Sequence, residues 1–195
     1  MLGLKMATDP RWVNIVERNL QEILIDHAFC EQKAASNAIS MIVQYPHYVD
    51  LVQAMTAICQ EEMMHFDMVH QKLVDRGFTL TFERKDPYVN DLLLHLKRSA
   101  HGSKDGYFVD QMIFAAMIEA RSCERFKILS EELQDVDLKN FYRDLMESEA
   151  RHYTTFLGFA RKYGGKINVE ERWQKFLEFE ATLMDQYGKT ETIHG

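Results

Sequence analysis

The 195-residue chain is short of the residues that interrupt helices: nine glycines and three prolines, about 6% together, against a usual share of about 12%. That scarcity excludes collagen-like, low-complexity and many-stranded sandwich architectures and favours long helices joined by few loops. Long apolar runs are absent too. The longest, Met112 to Ile118, has seven residues, where a membrane helix needs about 20. The first ten residues, MLGLKMATDP, hold no apolar stretch of the length a signal peptide requires, so a cytoplasmic protein with no membrane association is expected. Cysteine is sparse and odd in number: Cys30, Cys59 and Cys123 each fall inside a helical pattern, which predicts reduced, buried thiols rather than a disulfide framework. Positive charge is in deficit, with 23 Lys and Arg against 30 Asp and Glu for a net −7. This excludes a protein that coats nucleic acid by bulk electrostatics, while leaving room for a local basic patch.

What is present is a 46% hydrophobic chain, enough to fill one core, and a single domain over residues 1–195 is expected. Asp9 and Pro10 make a helix start, and the pattern after them runs without Gly or Pro to about Gln44. Tyr45-Pro46 interrupts it. A second run extends from about His47 to Asp75 and closes at Arg76-Gly77. A third begins near Gly106 and fades between Glu132 and Val136; a fourth runs from about Asp137 to Tyr163, before a Gly164-Gly165 stop. A shorter helix is predicted over Val169 to Tyr187. Between the second and third runs, residues 77–105 open with the extended-looking FTLTFERKD. Asp86-Pro87 then caps an amphipathic YVNDLLLHLKRS. A connection this long without structure is unusual in a small domain; it reads as the crossover of a four-helix bundle carrying a short helix.

Two Glu-x-x-His motifs stand on separate long helices: Glu62 with His65, and Glu149 with His152. Residues three apart share a helix face, so each pair can offer one ion a carboxylate oxygen and an imidazole nitrogen. If each motif helix is preceded by an antiparallel one, a third ligand should lie as far before the turn as the motif lies after it. Glu62 is 16 residues past Pro46, which points to about position 30, where Glu31 stands. Glu149 is about 14 past the turn near Gln134 to Val136, which points to about 120, where Glu119 stands. Glu31 precedes Glu62 by 31 residues and Glu119 precedes Glu149 by 30, so the chain carries a concealed duplication of a metal half-site. Four carboxylates and two histidines facing inward match the di-iron or di-manganese site of ferritin-like bundles. The expected fold is therefore all-α: a ferritin-like four-helix bundle with a helix-bearing crossover and an added C-terminal helix.

The flanking residues fit a buried site. Tyr142, Leu145, Glu149, His152, Phe156 and Phe159 fall on one face of the fourth helix, and Met55, Ile58, Glu62, His65 and Val69 on one face of the second. Carboxylates on an apolar stripe are costly unless cations sit between them. The competing acids Glu22, Glu61, Glu124 and Glu147 point away from the ligand faces, with Glu124 nearest to being swung in. His27 lies one turn before Glu31 and reads as a structural histidine more readily than as a ligand. Met63 and Met64 read as packing residues. Glu22, Asp26 and Asp144 are expected as possible partners for the imidazoles' second nitrogens.

The strings DHAFCEQKAASNAISMI (26–42), EEMMHFDMV (61–69), IEARSCERF (118–126) and ESEARHYTTF (147–156) resemble those of the tRNA 2-methylthio-isopentenyladenosine hydroxylases. RWQKFLEFEATLM (172–184) and the closing IHG are similar as well. The resemblance implies a non-haem di-iron monooxygenase that takes O2 as co-substrate and hydroxylates the prenyl side chain of a modified adenosine beside the anticodon. Its implied iron ligands are Glu31, Glu62, His65, Glu119, Glu149 and His152, the same six that the mirrored spacing selects. Two iron ions are expected, and manganese suits the same donors.

The chain has no flavin, nicotinamide or iron–sulfur motif, so electrons must come from an external reductase or ferredoxin. The other implied partner is a tRNA anticodon arm, whose phosphates call for Lys and Arg. Arg84, Lys85, Lys97, Arg98 and Lys104 in the crossover, and Arg161, Lys162 and Lys166 at the end of the fourth helix, are the candidates. Arg121, Arg125 and Arg151 lie near the ligands and are read as ion-pair partners of surplus glutamates in preference to substrate contacts. The alternative function is a ferritin- or rubrerythrin-like iron-oxidising or peroxide-reducing protein with no RNA substrate. A rubrerythrin usually adds a Cys-x-x-Cys pair, which this sequence lacks, and a storage protein forms a hollow shell, whereas a monomer or small homo-oligomer is expected here.

Overall fold

A capped turn opens the helical part of the chain: the Asp9 carboxylate accepts the Arg11 N–H at 2.9 Å, and Pro10 takes the first position of a 3-10 turn over Pro10–Trp12. The computed structural model describes residues 1–83, 85–99, 102–187 and 192–194. Among these, seven α-helices follow: α1 Val13–Arg18, α2 Leu20–Gln44, α3 Val49–Asp75, α4 Pro87–Arg98, α5 Lys104–Glu132, α6 Val136–Tyr163 and α7 Val169–Tyr187. No strand occurs among the described residues. None of these helices is long and apolar enough to cross a membrane.

The helices start and stop where local chemistry directs. Asp86 accepts the Val89 N–H at 3.0 Å and caps α4, Ser103 accepts the Gly106 N–H at 3.0 Å and caps α5, and Asp135 accepts from Asp137 and Leu138 at the head of α6. Each cap satisfies a donor that the first helical turn cannot, worth about 1 kcal/mol. Gly164 closes α6 at a point where a Cβ would meet the Ala160 carbonyl oxygen at 2.5 Å, and Gly165 follows with φ +59°.

One sequence expectation is corrected. The first long helix is not continuous from Pro10 to Gln44: Asn19, at φ −129° and ψ 37°, separates α1 from α2. Its carbonyl already accepts the Ile23 N–H at 3.1 Å, so it behaves as the residue that begins α2. Asparagine favours such boundaries because its side chain competes with helical backbone bonds. The extended-looking stretch after Gly77 forms no ladder among its described residues, and Arg84 lies outside them.

The chain divides into two compact units. One comprises Arg18–Lys85 with Glu191–Ile193 and is built on the α2–α3 hairpin. Ile23, Leu24, Ala28, Ala35, Ala38 and Met41 from α2 and Leu51, Met55, Ile58, Val69 and Leu73 from α3 are its buried apolar side chains. In this unit the Ile193 N–H donates to Asp26 Oδ2 at 2.7 Å.

The other comprises Met1–Glu17, Asp86–Thr190 and His194–Gly195. Its centre is the α5–α6 hairpin, with α4 and α7 against α5. Helix α5 is buried over most of its circumference, including Arg121 and Arg125. Arg121 reaches Glu180 on α7, Glu124 on its own helix and the Met6 carbonyl, while Thr8 donates both its N–H and its hydroxyl to Glu124. The N-terminal segment is thus pinned to α5 by charge as well as by Trp12, over which the Arg125 guanidinium lies at 4.2 Å. His194 Nε2 meets Ser122 Oγ at 3.0 Å, and its Nδ1 stands 3.5 Å from Asp86.

Candidate metal centre

In the first unit, α2 supplies Glu31 and α3 supplies Glu62 and His65, all buried. His65 Nδ1 lies 3.4 Å from Glu62 Oε2 and 3.6 Å from Glu31 Oε2. One ligand atom from each of the three falls within 4.8 Å of the others. The α2–α3 turn sets this register, since Tyr45 to Tyr48 take the chain from Gln44 to Val49 and bring position 31 level with 62.

Burial, with the Glu62 charge beside it, pushes the Glu31 carboxyl up to about 8. Burial alone would lower His65, but hydrogen bonds and charge from Glu31 and Glu62 outweigh it and hold the imidazole up at about 10. Two buried carboxylates at one point demand positive charge, from protons or from a cation. The other oxygen of Glu31 is engaged separately: His27, fully buried, places Nε2 2.6 Å from Oε1.

In the second unit, α5 supplies Glu119 and α6 supplies Glu149 and His152, again all buried. His152 Nδ1 is 4.0 Å from Glu119 Oε2, and the three ligand atoms also fall within 4.8 Å of one another. Each hairpin therefore presents two carboxylates and one imidazole. Hard oxygen donors with a single imidazole fit iron or manganese better than zinc or copper, so the donor chemistry suits the metals that the sequence implies.

Every residue expected on the two inward faces is buried: Met55, Ile58 and Val69 on α3, and Tyr142, Leu145, Phe156 and Phe159 on α6. Of the competing acids, Glu147 is exposed and Glu22 and Glu61 are half-buried. Glu124 is buried, but its oxygens serve Thr8 and Arg121. Arg121 pairs with Glu124 and Glu180, Arg125 covers Trp12, and Arg151 donates to Ser148. Ion pairing thus accounts for Arg121, as read from the sequence, while Arg125 and Arg151 find other partners. Asp26 takes the Ile193 N–H, and Asp144 is exposed.

Two minor readings are corrected. Met63 and Met64 are exposed, at 44% and 54%, because they follow Glu62 by 100° and 200° around the helix and leave the buried face. Cys30 and Cys59 are only half-buried, and Cys123 alone is fully buried; all three are free thiols.

The basic candidates are exposed. Arg84 lies outside the described residues, and Lys85 stands at the end of the first unit. In the second unit, Arg172 binds both the Ser99 carbonyl, just past Arg98, and Asp110, while Gly165 lies against the Asp105 side chain, next to Lys104. These contacts bring Lys97, Arg98 and Lys104 to the same end of the unit as Arg161, Lys162 and Lys166. Arg161 is held there by Glu170 at 2.6 Å.

Sequence reasoning missed the Tyr88–Glu180–Arg121 network, because Glu180 comes from a helix 59 residues away from Arg121. The available signal was two arginines one turn apart, Arg121 and Arg125, on a helix otherwise rich in apolar residues. It also missed that His27 would bond to Glu31, although the spacing of four made the contact possible.

A solved structure of "protein 43 with aldehyde deformylating oxygenase activity from Synechococcus" superposes with a TM-score of 0.88 at 29% identity, covering 98% of this chain and 95% of that one. The likeness gives the fold class as the ferritin-like helical bundle expected from the ligand spacing. The chain is 36% identical over 166 residues to the tRNA 2-(methylsulfanyl)-N(6)-isopentenyladenosine(37) hydroxylase of Pseudomonas putida, covering 85% of this chain and 78% of that protein. It is 27% identical over 214 residues to the enzyme of the same name from Salmonella typhimurium, covering 86% and 77%. The family model described as tRNA-(MS2IO6A)-hydroxylase (MiaE) matches residues 2–195. With that match running from end to end, and with the ligand pattern it carries, the chain belongs to the MiaE family of tRNA hydroxylases.

Proposed function

We propose that this chain is an O2-dependent tRNA hydroxylase that oxidises the prenyl side chain of 2-methylthio-isopentenyladenosine beside the anticodon. The observation that carries the reading is the matched pair of buried half-sites, two carboxylates and one imidazole on each helical hairpin. Glu31, Glu62 and His65, with Glu119, Glu149 and His152, would together hold two iron ions, the two units acting as one domain. When bound, the metal pair supplies the O2 activation that hydroxylation of an unactivated C–H bond requires. The overall reaction balances as one C–H and one O2 with two electrons and two protons, giving one C–OH and one water. Those electrons come from an external reductase or ferredoxin.

The protein's own share is placement and exclusion. The six side chains fix hard donors at two points, and the four carboxylates offset the charge of the cations. Tyr142, Leu145, Phe156 and Phe159, with Met55, Ile58 and Val69, line the same helix faces with apolar surface and keep water from the ligands. The exposed Lys97, Arg98, Lys104, Lys162 and Lys166 would hold anticodon-arm phosphates while the modified base is splayed out of the loop. Bound cations also reduce the effective negative charge of the folded protein, which eases the conflict between a net −7 and an RNA substrate. A cytoplasmic monomer or small homo-oligomer fits this role.

The test is reconstitution with ferrous iron, a chemical reductant and O2, with anticodon stem-loop RNA bearing the prenylated adenosine as substrate. Mass spectrometry should show the gain of one oxygen atom. Iron-loaded protein that oxidises a small hydrocarbon yet leaves the RNA unchanged would reject the RNA assignment, and assembly into a large iron-filled shell would favour storage.

A further inference from the structure

We propose that His27 fixes the binding mode of Glu31 and thereby makes the two metal positions unequal. The proposal rests on the metal-centre reading above and adds a residue and a property to it. His27 is fully buried, and its Nε2 lies 2.6 Å from Glu31 Oε1, one helical turn further along α2. With a cation present Glu31 is a carboxylate that has no proton to give, so the ring N–H donates and Oε1 is occupied. That leaves Oε2, the oxygen on the His65 side at 3.6 Å, as the one aimed at the ion. Glu31 is thereby held to one oxygen and one orientation.

The mirrored half-site is built differently. Glu119 stands where Glu31 stands in the duplication, but the residues four and three before it are Ala115 and Ala116. Neither carries a polar side-chain atom, so the helix that bears Glu119 cannot clamp it in this way. The duplicated ligands are therefore matched while their support is not. Carboxylates held by a hydrogen bond are preorganised for the metal, and loss of such partners typically lowers metal affinity 10–100-fold. The ion at Glu31, Glu62 and His65 binds first and tightly. The position at Glu119, Glu149 and His152 fills second, and Glu119 is the carboxylate with freedom to change its binding mode. His27 is a positioning residue that acts through Glu31.

Anaerobic titration of the whole chain with Co(II), followed by its visible absorption bands, tests this. The wild type should take up two ions in two resolvable steps, and Glu119→Gln should weaken the second. His27→Leu should weaken the first step about 10–100-fold and shift the spectrum of that ion, leaving the second step in place. His27→Gln, which returns an N–H donor at similar reach, should restore most of the first step and its spectrum. Equal weakening of both steps, no change in either, or a His27→Gln protein that melts like wild type yet behaves as His27→Leu would overturn the assignment. A His27→Leu chain that loses one ion altogether, with His27→Gln failing to restore it, would make His27 a direct ligand and overturn it too. A wild-type chain that binds no cobalt would instead reject the metal-centre reading itself.

Discussion

Arg121 on α5 donates to a single oxygen of Glu180 on α7 through two nitrogens, Nε at 2.9 Å and Nη2 at 2.6 Å, and neither side chain is exposed. Tyr88 donates its hydroxyl to the same oxygen at 3.0 Å, and burial together with the Glu180 charge keeps that phenol protonated by raising it well above its ordinary value. A buried carboxylate so arranged depends on its cation, since removing one partner leaves the other charge uncompensated. Arg121→Met should therefore cost about 3–5 kcal/mol, read as a shift in the urea midpoint. Adding Glu180→Leu to that variant should recover a large part of the loss, because an apolar pair does not incur the desolvation cost. A single variant as stable as wild type would show that α7 is held by its apolar face alone.

Asp86 joins two duties, accepting the Val89 N–H at 3.0 Å and facing His194 Nδ1 at 3.5 Å. Asp86→Ala removes the cap and should cost about 1 kcal/mol, lowering Tm by roughly 2–4 °C for a chain of this size. Asp86→Asn keeps a capping oxygen and should lose less. Equal losses in the two variants would assign the effect to the contact with His194 rather than to the cap.

The metal ligands were legible because their geometry is carried by counting: a turn, a spacing and a face together select Glu31, Glu62, His65, Glu119, Glu149 and His152 without any tertiary knowledge. Helix ends were legible for the same local reason, as Asp9, Asp86 and Tyr163-Gly164 show. The break at Asn19 was not, because no glycine or proline marks it and a boundary asparagine looks like any polar residue on a helix. The bonds of Arg121 to Glu180, and of His194 to Ser122, join residues 59 and 72 positions apart; only the packing of α7 and the C-terminal residues reveals them. The basic groups were legible as composition, but their common location at one end of the second unit depends on Arg172 and Gly165, which carry no sequence signature for it.

The three thiols should separate by reactivity. Cys123 is buried, and burial, reinforced by the Glu149 and Glu124 charges, pushes its thiol up to about 12. Cys30 and Cys59 are half-buried. Iodoacetamide at pH 8 should modify Cys30 and Cys59 in the native protein and spare Cys123 until denaturant is added, as peptide mapping would show. The raised value also sets a sign for stability. Below about pH 9 both folded and unfolded chains hold the proton, whereas between 9 and about 12 the unfolded chain alone releases it, so stability falls across that window. Cys123→Ala should show a shallower alkaline decline than wild type in chemical denaturation at stepped pH.

The basic end of the second unit makes unequal demands on its members. Arg161 is already bonded to Glu170 at 2.6 Å, an interaction that raises the guanidinium and lowers the carboxyl from their ordinary values. Its charge is therefore partly spent, and reversing it should change RNA affinity little. Lys97 and Arg98, exposed in the last turn of α4, are better placed to meet phosphate. Lys97→Glu combined with Arg98→Glu should weaken binding of the anticodon stem-loop and make the slope of log affinity against log salt shallower by roughly 0.7–0.9 for each phosphate that is no longer neutralised. The weakening should be uniform across loop sequences and should raise KM more than it lowers kcat, since phosphate contacts position the RNA without touching the reacting carbon. An Arg161→Glu protein whose affinity falls as far as that of the double variant would show that the RNA displaces Glu170 and takes Arg161 for itself.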